Sequence, residues 1–558
     1  MKLHQMLLAA VAAGAVVAPA TADAATKHHP AKHRAAVPAA DGALRDEVSA
    51  LRAEVAALHQ QMDAQHTSQA NTEAAVSSTQ AEVATTQQQV QTLVSTPPVT
   101  KAEVHNQIAT AIDDDHKKPY FSFKGITITP GGFLEAAYIY RQHNEGADIS
   151  SSFGGLPFAN AKTYSVSEGR FTARQSRVSF LAQGKPDKNV NLAMYGEFDF
   201  QGAAQTANSN ESNSYNPRIR HLYMTADWNH DGSGLHLLAG QNWSLLTLNT
   251  KGITPRNELT PQGIDAQYVP GFIWARQPQV RLTADVLDHH LWFAVSAENP
   301  QTTVAGTVPS NITNTITPAS GFYAGATSGL VANTISLNGT PDFVGKIAYE
   351  GNLAGHALHL EGFALSRTFT AHYNATSTVA GSNENKAGYG FGGGVVAQVI
   401  PGWLDVNFQG MGGKGIGRYG TSGLPDVTFD STGGIHPIKE EMLLAGAMLH
   451  ATKSLDLYGN AGEEIEHSNR LGTYGIGLVS ANDSGCEIEG GTCAGNTRRV
   501  RQLTGGFWDR VYNGNFGRMQ VGIQYSYTQR QLFYSATTGT APQTSESMGL
   551  FSIRYYPF

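Results

Sequence analysis

Arginine is the residue type in this chain whose placement points to chemistry. Arg170, Arg174, Arg177, Arg218, Arg220, Arg276 and Arg281 crowd the segment 170–281, and Arg498, Arg499, Arg501, Arg510, Arg518, Arg530 and Arg554 crowd the last stretch. Between residues 287 and 497 only Arg367, Arg418 and Arg470 occur, all read as near or in loops. A guanidinium offers a planar fork of donors that suits carboxylate and phosphate, and it stays charged at any physiological pH. Two such groups brought side by side would make a wall attractive to small anions. The competing use of the same residues is pairing with Glu135, Glu197 and Asp199, or with lipopolysaccharide at a membrane rim. Arg174 and Arg177 also differ in parity, so an unbroken strand would send them to opposite faces.

Other reactive residue types lead to no catalytic set. Glu463, Glu464, Glu466 and His467 are close in sequence, but strand alternation sends neighbours to opposite faces, and they read as a solvated strand end. His28, His29 and His33 sit in a basic, aperiodic stretch without fixed ligand geometry. Cys486 and Cys493 lie in a long loop, where an oxidising compartment predicts a disulfide. The Gly-rich run at 390–395 falls in a strand pattern rather than before a helix, so it is no phosphate cradle. The expectation is no enzyme, no cofactor and no metal.

The elements that must position the arginines follow from composition and period. Of 558 residues only 15% are charged and 60 are Gly, with a net charge of -7 and no long basic block, which disfavours nucleic acid. Lys2, the apolar run from Met6 to Ala18 and Ala22-Asp23-Ala24 form a secretory signal over 1–24. Residues 25–40 read as a flexible basic tether. Over 41–95 Leu44, Val48, Leu51, Val55, Leu58 and Met62 open a run of three- and four-residue steps, continued by Val76, Val83, Val90 and Leu93. Such steps predict an α-helical coiled coil that self-associates in the periplasm. Pro97 and Pro98 end it, and 96–125 is a linker.

From 126 to 558 the period is two. Val190, Leu192, Met194, Phe198 and Phe200 alternate with Asn191, Tyr195, Glu197 and Asp199, and similar alternation recurs at 403–410 and 518–528. A soluble sandwich would also alternate. A membrane barrel is favoured because short turns (184–188, 230–233, 400–402) alternate with long polar loops (202–216, 299–339, 467–499). Aromatic residues near strand ends, Tyr138, Tyr140, Tyr223, Trp228, Trp243, Trp274, Trp292 and Trp403, read as interfacial girdles. Candidate strands begin near 131, 170, 189, 217, 234, 272, 290, 342, 356, 388, 403, 441, 454, 500, 517 and 547. The fold class is thus an all-β transmembrane barrel of about 16 antiparallel strands with an N-terminal coiled coil, wide enough for an aqueous channel. The connection 244–271, which leaves the fifth strand, carries Lys251, Arg256, Glu258 and Asp265 and is placed to fold inward as a constriction.

The segments ARQSR (173–177), GEFDF (196–200), RIRHLY (218–223), AGQNWS (239–244) and WARQPQVR (274–281) together resemble the DcaP-like trimeric outer-membrane porins. The resemblance implies a homotrimer of sixteen-stranded barrels in the outer membrane, with the coiled coil in the periplasm, passing small anions such as dicarboxylates. It implies that Arg174, Arg177, Arg218, Arg220, Arg276 and Arg281 line the channel, with Gln241 and Trp243 at the root of the inward loop. The half after residue 290 carries no matching motif, and Pro557 interrupts the terminal aromatic alternation. Expected partners are lipid, lipopolysaccharide, small anionic solutes and peptidoglycan through the N-terminal segment. The alternatives are a phosphate or polyphosphate channel, and an envelope tether or adhesin built on the coiled coil.

Overall fold

The computed structural model describes residues 120–202, 216–313, 315–316 and 335–558, together with helical positions scattered between 49 and 87. The signal segment 1–24, the tether 25–40, most of the linker 96–125 and much of the heptad segment lie outside the described residues. Within the heptad segment residues 75–87 are continuously helical. The seam residues Val55, Met62, Val76 and Val83 are each about half exposed.

The chain divides into two compact units, Met1–Ile112 and Asp113–Phe558, and in the second, strands β1 (Ile126–Arg141), β2 (Glu168–Thr172 and Arg177–Asp187), β3 (Val190–Gly202), β4 (Asn216–His230), β5 (Ser233–Trp243) and β6 (Arg276–Val286) come first. They are followed by β7 (Leu291–Glu298), β8 (Asp342–Leu353), β9 (His356–Tyr373), β10 (Ser382–Ile400) and β11 (Leu404–Lys414). The last are β12 (Lys439–His450), β13 (Leu455–Glu466), β14 (Thr497–Gly514), β15 (Gly517–Leu532) and β16 (Gln543–Tyr556). Each pairs antiparallel with the next, and β16 returns to β1 through the register Leu134↔Tyr555 to Arg141↔Met548. The sheet therefore closes with sixteen strands and has no open edge. A short segment Phe121–Phe123 pairs back onto the start of β1.

The burial pattern is inverted relative to a soluble protein. On β8 the exposed positions are Phe343, Ile347 and Tyr349, and on β6 they include Val280 and Leu282, while Gln277, Gln279, Arg281, Thr283 and Asp285 of β6 are buried. A sheet that turns large apolar side chains outward and polar ones inward is stable where the outside is hydrocarbon. No described helix is long and apolar enough to cross a membrane. The connections 188–189, 231–232, 287–290, 354–355, 401–403, 451–454 and 515–516 are short and share one end of the barrel; the long loops share the other.

Three sequence expectations are corrected by parity. Tyr223, Trp243 and Trp292 are not girdle residues, because they are nearly fully buried; Tyr140, Trp228 and Trp403 are exposed on the outer surface. Arg367 is no loop residue but lies within β9, where it is fully buried. The terminal arginine group does not form one wall: Arg499 and Arg501 take outward positions on β14, while the alternating Val500 and Gln502 are buried. Pro557 falls just beyond β16, whose pairing with β15 runs to Tyr556 without a register shift.

Candidate channel constriction

The connection from β5 to β6 folds into the lumen. Leu245, Leu246, Leu248, Ile253, Ile264, Phe272 and Ile273 are at most 1% exposed. Several of them pack against inward residues of distant strands, including Ala294 of β7, Val344 and Ala348 of β8, Phe363 and Leu365 of β9 and Met442 of β12. Ile264 and Ala266 pack with Ala137, Ile139, Tyr458, Trp508 and Leu550, from β1, β13, β14 and β16.

Apart from short bridges such as Asn249 with Glu258, a loop inside a barrel has no continuous ladder, so many of its backbone N–H groups need side-chain acceptors. The wall supplies them. Leu245 donates to Glu298 Oε1 (2.8 Å), Asn249 to Glu361 Oε1 (3.0 Å), Ile264 to Gln524 Oε1 (2.5 Å) and Gly271 to Glu464 Oε1 (2.7 Å), while Gly252 donates to Glu350. Lys346 Nζ adds a strap, donating to Thr247 O (2.7 Å), Asn249 Oδ1 (3.1 Å) and Glu361 Oε2 (2.6 Å). Gly271 takes the left-handed conformation (φ 87°) where the loop returns to the wall, and a side chain there would meet the Leu443 carbonyl. Glu464 and Glu466 are thus not a solvated strand end: both are at most 1% exposed, because loops cover that part of β13.

The arginines of the first six strands reach the lumen by two breaks in alternation. β2 is interrupted at 173–176, so Arg174 turns back to Phe200 O (Nε, 3.2 Å) and Gly202 O (Nη2, 2.8 Å), while Arg177 restarts the strand facing inward. On β4 a register shift opposite Glu197 and Phe198 leaves Arg220 and His221 both buried. Gln241 braces this bulge by donating to Ile219 O (3.1 Å) and Arg220 O (3.4 Å).

Within the cluster, Arg218 grips Asp199 with two bonds (3.0 and 2.7 Å), and Arg220 reaches Glu197 (2.6 Å), Asp199 (3.1 Å) and the Tyr268 hydroxyl (3.3 Å). Arg177 lies 4.0 Å from Glu197. Arg276 has no carboxylate partner among the described residues; its guanidinium sits 5.1 Å from the Trp243 ring centre and 5.2 Å from that of Trp274, and its Nη1 has no hydrogen-bond partner. Four guanidiniums therefore face two carboxylates, a surplus of two positive charges. Burial works against ionisation of Tyr268, yet Arg220, Arg177 and Arg276 outweigh it and hold that phenol below its ordinary pKa.

Arg281 stands apart. It is 3% exposed and donates to Gln279 (3.1 Å) and the Trp243 carbonyl (2.6 Å), which anchors the root of the loop. Across the seam, Arg177 of β2 and Arg554 of β16 flank the same ring, Phe133 of β1, at 5.3 and 4.8 Å. Arg554 pairs with Glu135 (2.8 Å), and Arg518 stacks on Tyr556 (4.2 Å).

Of the loop's own charged residues, Arg256 reaches toward β3 and β4, donating to the Tyr223 hydroxyl (3.2 Å) and lying 5.7 Å from the Tyr195 ring centre. Arg256 and Tyr268 both hold φ near +70°, a conformation costly for non-glycine residues, and both aim at the arginine cluster. Glu258 accepts from Asn242 (3.2 Å), and Asp265 accepts from the backbone N–H of Ser151 (3.2 Å) and Gln267 (2.8 Å). Burial raises the pKa of both carboxyls despite Arg281 near the first and Arg141 near the second. Lys251, with His290, Glu350, His359 and Asp405, lines a cavity of about 510 Å³ beneath the loop, whose walls are otherwise largely apolar. Far from this site, Cys486 and Cys493 are joined by a disulfide.

The carboxylates and amides that hold the loop were not picked out from sequence. Their signal was present as acids at inward parity, Glu350 on β8 and Glu361 on β9, but only the loop gives them a role.

No family model matches the sequence and no curated protein matches it. Among solved structures, the chain is similar to the outer membrane channel DcaP of Acinetobacter baumannii, with 17% identity over 78% of this chain and 99% of that one and a TM-score of 0.55. It is also similar to Pseudomonas putida OprB (8% identity, 76% of this chain and 94% of that one, TM-score 0.42). Salmonella typhi OmpF gives 9% identity over 78% of this chain and 99% of that one, at a TM-score of 0.41. The chain thus shares its fold with the DcaP channel, as the motif resemblance implies.

Proposed function

We propose that this chain is an outer-membrane porin for passive diffusion that favours small organic anions such as dicarboxylates. The observation that supports this most is the surplus of two positive charges around Arg177, Arg218, Arg220 and Arg276, with Arg276 set against two indoles and lacking an acid among the described residues. A cation with unsatisfied donors in a narrow, poorly solvated passage attracts carboxylate strongly, and diffusion past several sites needs no single tight one. Arg174, Arg177, Arg218 and Arg276 are the residues we assign to the solute path, with Arg256 opposite; Arg220 and Arg281 position the wall and the loop.

The signal 1–24 directs export, and the heptad segment 41–95 lies in the periplasm, where it assembles three copies and meets peptidoglycan. Outward Arg499 and Arg501 face the lipopolysaccharide leaflet. A dedicated phosphate channel is less well supported, since it would need a tighter basic ring, with more Lys, than the four guanidiniums gathered here around two carboxylates.

Planar-bilayer recording with the purified chain tests the reading. Reversal potentials in chloride and succinate gradients are expected to show anion preference; cation preference would overturn the arginine assignment, and absence of channels would overturn the porin reading. Deleting 41–95 is expected to lower trimer yield, and trimers unchanged by the deletion would remove the coiled coil from that role.

A further inference from the structure

The long-loop end of β12 and β13 holds an acidic pair that neither the inward loop nor the arginine wall explains. Glu440 and Glu466 are direct cross-strand partners, so their side chains leave the sheet on the same face. Each is 1% exposed, and none of their four carboxylate oxygens has a hydrogen-bond partner among the described residues. The loop 415–438 closes over them: a side-chain carbon placed on Gly417 would lie 2.9 Å from Glu440 Oε1.

The surrounding charges do not compensate. Asp426 and Asp342 are engaged by Arg367 (2.7 and 3.0 Å), with Arg418 also on Asp342 (3.2 Å). Glu464, the next inward residue of β13, accepts from the backbone N–H of Gly271 (2.7 Å) and Ser422 (3.1 Å) and pairs with no cation among the described residues. Five acids thus share two arginines, a deficit of three positive charges in a buried region. A further observation lies on the covering loop. Thr428, two residues beyond Asp426, is fully buried and its hydroxyl has no hydrogen-bond partner among the described residues. Leaving several ionised carboxylates buried without a counter-charge costs several kcal/mol, so such sites take up a cation or a proton.

We infer that Glu440 and Glu466 form a divalent-cation site, of the calcium or magnesium class, that clasps the 415–438 loop onto the rim of β12 and β13. Hard divalent ions prefer carboxylate and neutral oxygen ligands, which are the groups left unpaired here. One such ion offsets two of the three missing charges. The site is independent of whether the lumen selects anions.

The test uses the full chain refolded in detergent free of lipopolysaccharide, so that lipid-bound metal does not contribute. After exposure to calcium and desalting, elemental analysis of the wild-type chain is expected to give about one ion per chain, as for a single oxygen-ligand site. Removal with EDTA is expected to lower the thermal unfolding midpoint, and added calcium to restore it. Glu440→Gln and Glu466→Gln are expected to weaken retention by about tenfold or more each, and the double variant to show a midpoint that ignores both EDTA and calcium. A wild-type chain that retains no ion and ignores EDTA overturns the site, as do variants that bind like wild type. A midpoint that rises on acidification with no response to calcium also overturns it, in favour of a proton shared by the pair. Should the double variant fail to fold, metal retention by wild type and Glu466→Gln alone decides between these outcomes.

Discussion

On β8 and β9 the inward positions carry Val344, Lys346, Ala348, Phe363, Leu365 and Arg367, all nearly inaccessible. On β3 and β4 the corresponding positions carry Glu197, Asp199, Arg218 and Arg220, and the Arg218 side chain is 37% exposed. In both regions these residues take inward positions, on β4 just before a register shift, and both pair arginine with acids. They differ in what lies against them. The β8–β9 wall is covered by the 415–438 loop around Arg367 and by the apolar side of the inward loop around Lys346, so its ions are sealed and structural. The β3–β4 wall faces the other flank of that loop, where Arg256 and Tyr268 project toward it. Inward parity decides only that a residue leaves the lipid; the loop decides whether it meets water.

The largest expected effect comes from breaking the sealed side. Arg367→Met leaves Asp342 and Asp426 buried without their shared cation and is expected to cost about 3–5 kcal/mol. This would be read as a lower temperature for loss of the heat-modifiable folded band, and a change near zero would mean that the sealed side is not sealed. Lys346→Met removes the strap on the loop but leaves Glu361 its bonds from His359 and Asn249. A smaller loss of about 2 kcal/mol is expected, together with noisier single-channel current as the loop loosens.

On the open side the balance reverses. Arg276→Gln is expected to change stability by less than about 1 kcal/mol, but to lower the anion-to-cation permeability ratio by roughly three- to fivefold, about 1 kcal/mol of lost attraction. Unchanged reversal potentials would show that solutes do not pass this cation. The smallest effect concerns pH. Burial raises the proton affinity of Glu258 and Asp265, so acidification from neutral neutralises them before ordinary carboxylates. Because a raised carboxyl pKa favours the folded loop in its protonated form, loop anchoring strengthens as pH falls and weakens as it rises. Anion preference is therefore expected to increase slightly on mild acidification, and the opposite drift in reversal potential would contradict the sign.

Much of this plan was legible in the sequence. Strand positions and turn and loop ends follow from local period, because a barrel strand writes its two environments into adjacent residues; the inward connection was marked by its length, mixed charge and place after the fifth strand. The site was legible only in part. Arg174 and Arg177 looked incompatible on one strand, and the interruption at 173–176 that reconciles them leaves no mark in alternation. Arg281 matched its motif yet lies under the loop root, and Trp243 and Trp292 looked like girdle residues until loop and lumen claimed them. These differences arise from contacts between residues far apart in the chain, such as Asn249 with Glu361, which no local period encodes.

The shared ring of Phe133 has a consequence in time. Arg177 and Arg554 approach it from opposite sides of the seam, and Arg554 belongs to β16, which is joined to β1 only when the cylinder closes. Part of the charged wall is therefore assembled by the final zipping of the sheet.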